Sequence, residues 1–174
     1  MRNIIVTPLA HVEEVVRHHG RAHVCGLLGP EMAHPPLPVP ETQRLRLSFH
    51  DVAAPAPGFQ PPTPEHVRRI LDFAEQWASA DAGPLVFHCW AGISRSWAAA
   101  FIARCHLEAE RPEADIAKAL RHLAPFATPN PLLVRLADAL LGRQGRMIRA
   151  IARIGRGEAA FMGAVVRWPL AERP

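Results

Sequence analysis

Pro84-Leu85-Val86-Phe87-His88-Cys89-Trp90-Ala91-Gly92-Ile93-Ser94-Arg95-Ser96 passes through three kinds of sequence in thirteen residues. Pro84 to Phe87 is wholly apolar, as expected of a strand buried on both faces in the middle of a parallel sheet. A short turn follows, with Gly92 free to adopt backbone conformations other residues avoid. From Arg95 the chain reads as a helix, expected to run to Glu110. Strand, turn and helix in this order put Cys89 at the carboxyl end of a central strand, where open α/β sheets bind their ligands.

The rest of the chain supports that frame. Upstream, Asn3–Thr7 and Ala22–Leu28 read as buried strands. Arg44–Phe49 alternates with period two and reads as a strand with one wet face. Between them, Leu9, Val12, Val15 and Val16 recur at helical spacing, predicting a helix over Pro8–His19 that stops at Gly20. Gly29–Pro40 and Asp51–Pro64 are rich in proline and read as loops. Thr63 caps a helix over Pro64–Trp77, with proline at its first position. Downstream, helices are expected over Glu113–Leu123, Pro131–Leu140 and Arg146–Ile154, and Phe161–Trp168 is either a stray strand or a docked tail. The expected fold is α/β, a mostly parallel central sheet flanked by helices, with a helical C-terminal half. Residues 1–174 are expected to form one domain, with 155–174 as a tail that docks on it.

Composition narrows the classes. The chain has 174 residues, 49% of them hydrophobic and 21% charged, an ordinary globular balance. It holds no apolar run long enough to span a membrane, and its first residues are too short an apolar stretch for a secretory signal. Net charge is +4, and only Lys118 among 20 basic residues is lysine. A mildly basic surface suits an anionic ligand without naming one. Cys25, Cys89 and Cys105 give neither a disulfide framework nor paired metal spacing, which points to the reducing cytoplasm.

The turn after Cys89 also has a chemistry. A helix N-terminus favours an anion, and successive loop N–H groups from Trp90 through Ala91, Gly92, Ile93 and Ser94 to Arg95 can form a nest for phosphate oxygens. The same field, with the Arg95 guanidinium, is expected to acidify Cys89 from a thiol's usual pKa of about 8.5. Arg95 can hold two phosphoryl oxygens at once. Ser96 can donate to the sulfur, and His88 is expected to orient the loop by hydrogen bonds to its backbone.

His88-Cys89-x-x-Gly92-x-x-Arg95-Ser96 resembles the signature of the cysteine-dependent protein tyrosine phosphatase superfamily, and the short chain resembles its compact dual-specificity-like branch, in particular small bacterial members. The resemblance implies a phosphomonoesterase without metal or cofactor. Cys89 would attack phosphorus to form a phosphocysteine, Trp90 to Arg95 would hold the phosphoryl oxygens, and Ser96 would assist release of the thiolate. It also implies a general acid on a separate upstream loop. Asp51 fits, 38 positions before the cysteine and just after the Arg44–Phe49 strand. Asp72, within a helix, and Asp81, at the wrong end of the central strand, fit less well. Phosphorylated proteins or small phosphomonoesters would be substrates, inorganic phosphate or vanadate ligands, and nucleic acid is not expected as a partner. Phosphotyrosine is the first substrate class, with phosphoserine and phosphothreonine beside it.

Other readings stay open at this level. A nucleotide, RNA 5′-phosphate or phosphoinositide would suit the same scaffold, its only support being a helical stripe of Arg143, Arg146, Arg149, Arg153 and Arg156. A solvated face explains that stripe more simply. A non-catalytic phosphate-binding module and an arsenate reductase loop rank lower. The chain has no tyrosine, so the tyrosine-bearing recognition loop of the large receptor-like relatives is absent. Asn130, before Pro131, reads first as a helix cap and second as a group that positions the hydrolytic water. Cys25 reads first as a core residue and second as a redox partner of Cys89, and Cys105 as core. The histidines of the first fifth of the chain match no zinc pattern.

Overall fold

The computed structural model describes residues 2–80 and 83–170. Five strands form one sheet: β1 (Asn3–Pro8), β2 (His23–Leu28), β3 (Arg44–Ser48), β4 (Leu85–Cys89) and β5 (Val166–Pro169), in the order β3-β2-β4-β1-β5. All pairings are parallel except β5 on β1. The apolar run is therefore the centre of the sheet, with β2 and β1 on either side. Helices α1 (Val12–His19), α2 (Pro64–Ser79), α3 (Arg95–Leu107), α4 (Glu113–Leu123), α5 (Pro131–Leu140) and α6 (Arg146–Ile154) flank it.

Side chains alternate along each strand, and each face has its own cover. Ile5, Val24 and Val86 pack with Val12, Val15 and Val16 of α1 and with Leu37 of the first proline-rich loop. Ile4, Val6, Cys25, Leu27, Leu85 and Phe87 point the other way, into a larger core with α2 to α6. α3 runs through that core and buries Trp97 to Ile102 without a wet face. Each fully buried large apolar side chain contributes roughly 1.5–3 kcal/mol.

Local sequence explains the ends. Thr63 and His66 form a reciprocal capping box with Pro64 at the first helical position, which starts α2 where expected. Gly20 takes a left-handed φ of 63° and stops α1. Pro8 departs from expectation: it closes β1 in extended geometry and a short 3-10 turn, Leu9–His11, precedes α1. β5 pairs only with Asn3 to Val6 of β1, so Pro8 lies past that ladder, at a free edge where a missing N–H is tolerated. β4 extends past Phe87 to Cys89, and α3 stops at Leu107, three residues before the expected end.

The tail resolves as a strand. β5 adds an antiparallel edge to β1, Trp168 is buried, and the Arg104 guanidinium lies 4.6 Å from the Trp168 ring centre while donating to the Pro169 carbonyl at 2.7 Å. Among the described residues, no helix is long and apolar enough to cross a membrane.

Candidate active site

β4 delivers Cys89 to the carboxyl edge of the sheet and α3 begins at Arg95. The connection between them is held from outside by its carbonyls. Leu9 N–H donates to Trp90 O at 3.2 Å, Gly163 N–H to Ala91 O at 2.8 Å and Trp97 Nε1 to Gly92 O at 3.0 Å. Thr128 N–H donates to Ile93 O at 3.0 Å, and Ser94 O receives Ala98 N–H at 2.9 Å as the helix starts. With every carbonyl from Trp90 to Ser94 turned outward, the N–H groups of Trp90 to Arg95 meet no protein acceptor among the described residues. Free N–H groups on a short loop at a helix N-terminus make a concave anion site.

Gly92 makes the loop's shape available. Its φ is 67°, and a Cβ there would lie 2.6 Å from the Pro8 nitrogen. A larger residue would meet both a left-handed backbone and the main chain of β1.

Cys89 is only 2% exposed, and its Sγ lies 3.2 Å from Ser96 Oγ. Arg95 is buried beside it. Nη1 donates to Phe49 O at 2.9 Å, which fixes the guanidinium plane, while Nε is buried with no hydrogen-bond partner. An unpartnered buried donor beside a nest of free N–H groups is a place for an oxyanion.

Asp51 comes to the same place from the loop after β3. Its Oδ1 accepts from Ser94 Oγ at 2.7 Å and from Asn130 Nδ2 at 2.7 Å, and its Oδ2 lies 3.7 Å from Arg95 Nε. Oδ1 is thereby occupied, and Oδ2 faces the Arg95 guanidinium. Asn130, 1% exposed, does two jobs: its Oδ1 caps α5 by accepting from Leu133 N–H at 2.9 Å, and its Nδ2 binds Asp51 and the Val52 carbonyl. The cap was legible in Asn130-Pro131; the bond to Asp51 was not.

His88 behaves differently from expectation. No hydrogen bond joins its ring to the loop backbone among the described residues, and its Nδ1 is buried without a partner. Burial above all, then His34 and Arg44, holds its pKa down to about 3, so it packs as a neutral ring beneath the loop. Gly26 leaves it room, since a Cβ there would lie 2.6 Å from His88 Nε2.

Other candidates fall outside the site. Asp72 lies within α2, and Asp81 lies outside the described residues. Cys25 and Cys105 are buried, and burial pushes both thiols up, away from redox reactivity. The arginine stripe is split. Arg143 and Arg146 pair with the buried Glu113 at 3.3 and 3.2 Å, and Arg143 also donates to the Cys105 carbonyl. They tie the start of α6 and the turn before it to α4, whereas Arg149, Arg153 and Arg156 are exposed.

Sequence reading missed the outside supports. Phe49 O, Thr128 and Gly163 carry no local signal, because their partners are distant in the chain. The same is true of Phe161, whose ring meets Trp90 edge-on with centroids 5.7 Å apart.

A family model described as protein-tyrosine phosphatase matches residues 56–125, a stretch that includes the loop but not Asp51. Among curated proteins no match was found. Solved structures of similar fold include human DUSP28, 22% identical, with 80% of this chain and 94% of that chain covered at a TM-score of 0.58. A mouse putative dual specificity phosphatase complexed with zinc tungstate is 17% identical, with 85% and 86% covered at a TM-score of 0.59. DUSP15 is 15% identical, with 90% and 94% covered at a TM-score of 0.57. At these identities the likeness is one of fold.

Proposed function

We propose that this protein-tyrosine-phosphatase-like hydrolase, a member of the cysteine-dependent superfamily with a dual-specificity-like fold, removes phosphate from protein phosphotyrosine and also admits phosphoserine and phosphothreonine. One observation carries the reading: the loop after Cys89 turns its carbonyls outward and leaves its N–H groups, with Arg95 Nε, for an oxyanion.

The chemistry runs in two steps. Cys89 Sγ, as thiolate, attacks phosphorus, and the bond to the leaving oxygen breaks. Its electron pair stays on that oxygen, which takes a proton from Asp51 Oδ2. Arg95 and the N–H groups of Trp90, Ala91, Gly92, Ile93, Ser94 and Arg95 hold the three other oxygens as they move toward one plane. Water then attacks the phosphocysteine and gives a proton to Asp51. The P–S bond breaks, and Ser96 Oγ–H, 3.2 Å away, donates to the departing sulfur. Asn130 positions the acid, and His88 packs beneath the loop; neither reacts.

The tungstate bound by the mouse relative supports inorganic phosphate or vanadate as a ligand of the same loop. Residues 1–174 are read as one phosphatase domain, and the free thiol nucleophile suits the cytoplasm. The nucleotide, RNA 5′-phosphate and phosphoinositide readings keep only the exposed Arg149, Arg153 and Arg156, since Arg143 and Arg146 are engaged by Glu113. A non-catalytic module is disfavoured by the joint presence of Cys89, Arg95 and Asp51.

The test is Cys89→Ser with Asp51→Asn, assayed on phosphates of graded leaving group. Cys89→Ser should abolish turnover and keep vanadate or phosphate binding. Asp51→Asn should cost about 10²-fold or more with an alkyl leaving group and far less with para-nitrophenol. An active Cys89→Ser protein overturns the covalent mechanism. An equal loss across leaving groups removes Asp51 as the acid.

A further inference from the structure

The rim of the phosphate loop carries two exposed aromatic side chains that the chemistry above does not use. Trp90, the residue after the nucleophile, is 43% exposed, and Phe161 is 80% exposed. Large aromatic rings ordinarily bury most of their area, so an exposed pair in mutual contact marks a recognition surface. Phe161 comes from the segment between α6 and β5, which is fastened where it crosses the loop. Gly163 N–H bonds Ala91 O at 2.8 Å, and Gly163 has no room for a Cβ, which would lie 2.5 Å from Gly92 O. Further back, Gly157 N–H donates to Thr128 Oγ1 at 3.1 Å and Glu158 N–H to Pro125 O at 2.9 Å. Phe161 is thus presented at a fixed place and left exposed by the described residues.

The two ends of the loop differ. At the Ser94 end stands Asp51, which protonates the leaving oxygen in the proposed reaction. At the Trp90 end stand the two rings. Trp90 directly follows Cys89, so the rings stand on the rim of the same loop that would hold the phosphoryl group, within the surface a leaving group must cross. The flat ring of phosphotyrosine can pack on them edge-to-face or offset. The single methylene of phosphoserine is too short and too small to do so.

We propose that Phe161, with Trp90, forms an aromatic wall that selects aryl over alkyl phosphomonoesters, so that phosphotyrosine is the preferred substrate and the tail segment supplies the specificity. The inference rests on the phosphatase reading for the site itself. It places in the tail a recognition role that the absent tyrosines do not fill.

Phe161→Ala is the variant, with Phe161→Trp as the rescue. An exposed ring can be truncated without unfolding the protein. In the Cys89→Ser background, affinity for a phosphotyrosine peptide should fall about ten-fold on Phe161→Ala, while affinity for the matched phosphoserine peptide and for inorganic phosphate stays level. In the active enzyme the same change should raise KM for the phosphotyrosine peptide and leave kcat within about two-fold, since ring packing is made in ground state and transition state alike. Phe161→Trp should restore both. Unchanged phosphotyrosine affinity in the Cys89→Ser background, or an equal loss for both peptides, overturns the wall. Inactive wild-type enzyme with a Phe161-dependent preference in binding would overturn the catalytic reading and leave the wall standing.

Discussion

The segments Trp90–Arg95 and Asp51–Thr63 meet at one carboxylate, yet they are held in opposite ways. The first is fixed through its own main chain, with each carbonyl tied to an outside donor and Gly92 seated against Pro8. The second is largely exposed and is held to the body mostly through side chains, with one main-chain bond from His50 N–H to Gln60 O at 2.7 Å. Asn130 takes the Val52 carbonyl, Arg135 the Ala53 carbonyl, and His50 receives the Gln60 N–H. The difference separates two demands. A phosphate nest needs several N–H groups aimed at one point, which only a rigid backbone provides. A proton donor needs one oxygen in reach, which a few side-chain bonds can supply. Damage to the first should therefore be general, and damage to the second should depend on the leaving group.

Gly92→Ala attacks the first segment and carries the largest expected effect. The new methyl meets main chain and a positive φ together, so the loop itself must move. Activity should fall at least about 10²-fold on every substrate, including para-nitrophenyl phosphate, as oxyanion donors lose aim. Stability should fall by about 2 kcal/mol, a Tm lowered by roughly 4–8 °C in a chain of this size. Kinetics across leaving groups and a thermal melt check both. A variant with near-normal turnover would show that the loop tolerates movement, and the contrast between the segments would collapse.

Asn130 tests the second segment with a smaller effect. Asn130→Ala loses the cap of α5, worth about 1 kcal/mol, together with the anchor of Asp51. Asn130→Asp separates the two, because aspartate caps as well as asparagine but sets a carboxylate against Asp51. Turnover of an alkyl phosphate should drop about ten-fold in both variants, with para-nitrophenyl phosphate little changed. Both should lower the Tm, Asn130→Ala through the lost cap and Asn130→Asp through the buried carboxylate it sets against Asp51, so the dependence on leaving group is the deciding measurement. If Asn130→Asp keeps full alkyl phosphatase activity, the residue is a cap and nothing more.

The same contrast explains what the sequence made legible. Cys89, Arg95 and the strand–loop–helix frame lie within a dozen residues, where apolar runs, glycine and caps speak locally. α4, α5 and α6 begin and end where periodicity put them, and the three-residue excess at α3 lies in a turn with no strong breaker. Asp51 needed the resemblance as well, since its loop lies far from Cys89 in the chain. Nothing local in Phe49, Thr128, Asn130, Phe161 or Gly163 announces a partner, because each reaches the site through the tertiary fold. Pro8 misleads for a related reason, since a proline suits a strand end as well as a helix start. The arginine row is mixed: Arg149, Arg153 and Arg156 face solvent as expected, and Arg143 and Arg146 meet the buried Glu113.

The last expected effect is read in stability alone and concerns the floor of the rigid segment. His88 stays neutral in the fold down to a pH of about 3, through burial first and then His34 and Arg44. In the unfolded chain it binds a proton near the ordinary value of about 6.5. Between those two pH values the unfolded state holds more protons, so stability falls as the pH falls, by about 1.4 kcal/mol per pH unit for one such group, and is unaffected above that window. His34 and His23 are shifted the same way by burial and steepen the slope. Thermal melts from pH 7 to pH 4 should therefore show a steady loss of Tm in wild type and a shallower one in His88→Asn. Glu41, whose pKa is lowered chiefly by Arg46, contributes in the same direction to both proteins and cancels in their comparison. Parallel slopes would mean that the ring takes up a proton without penalty. The rigid segment would then rest on an accommodating base, and its stiffness would have to come from its carbonyl ties alone.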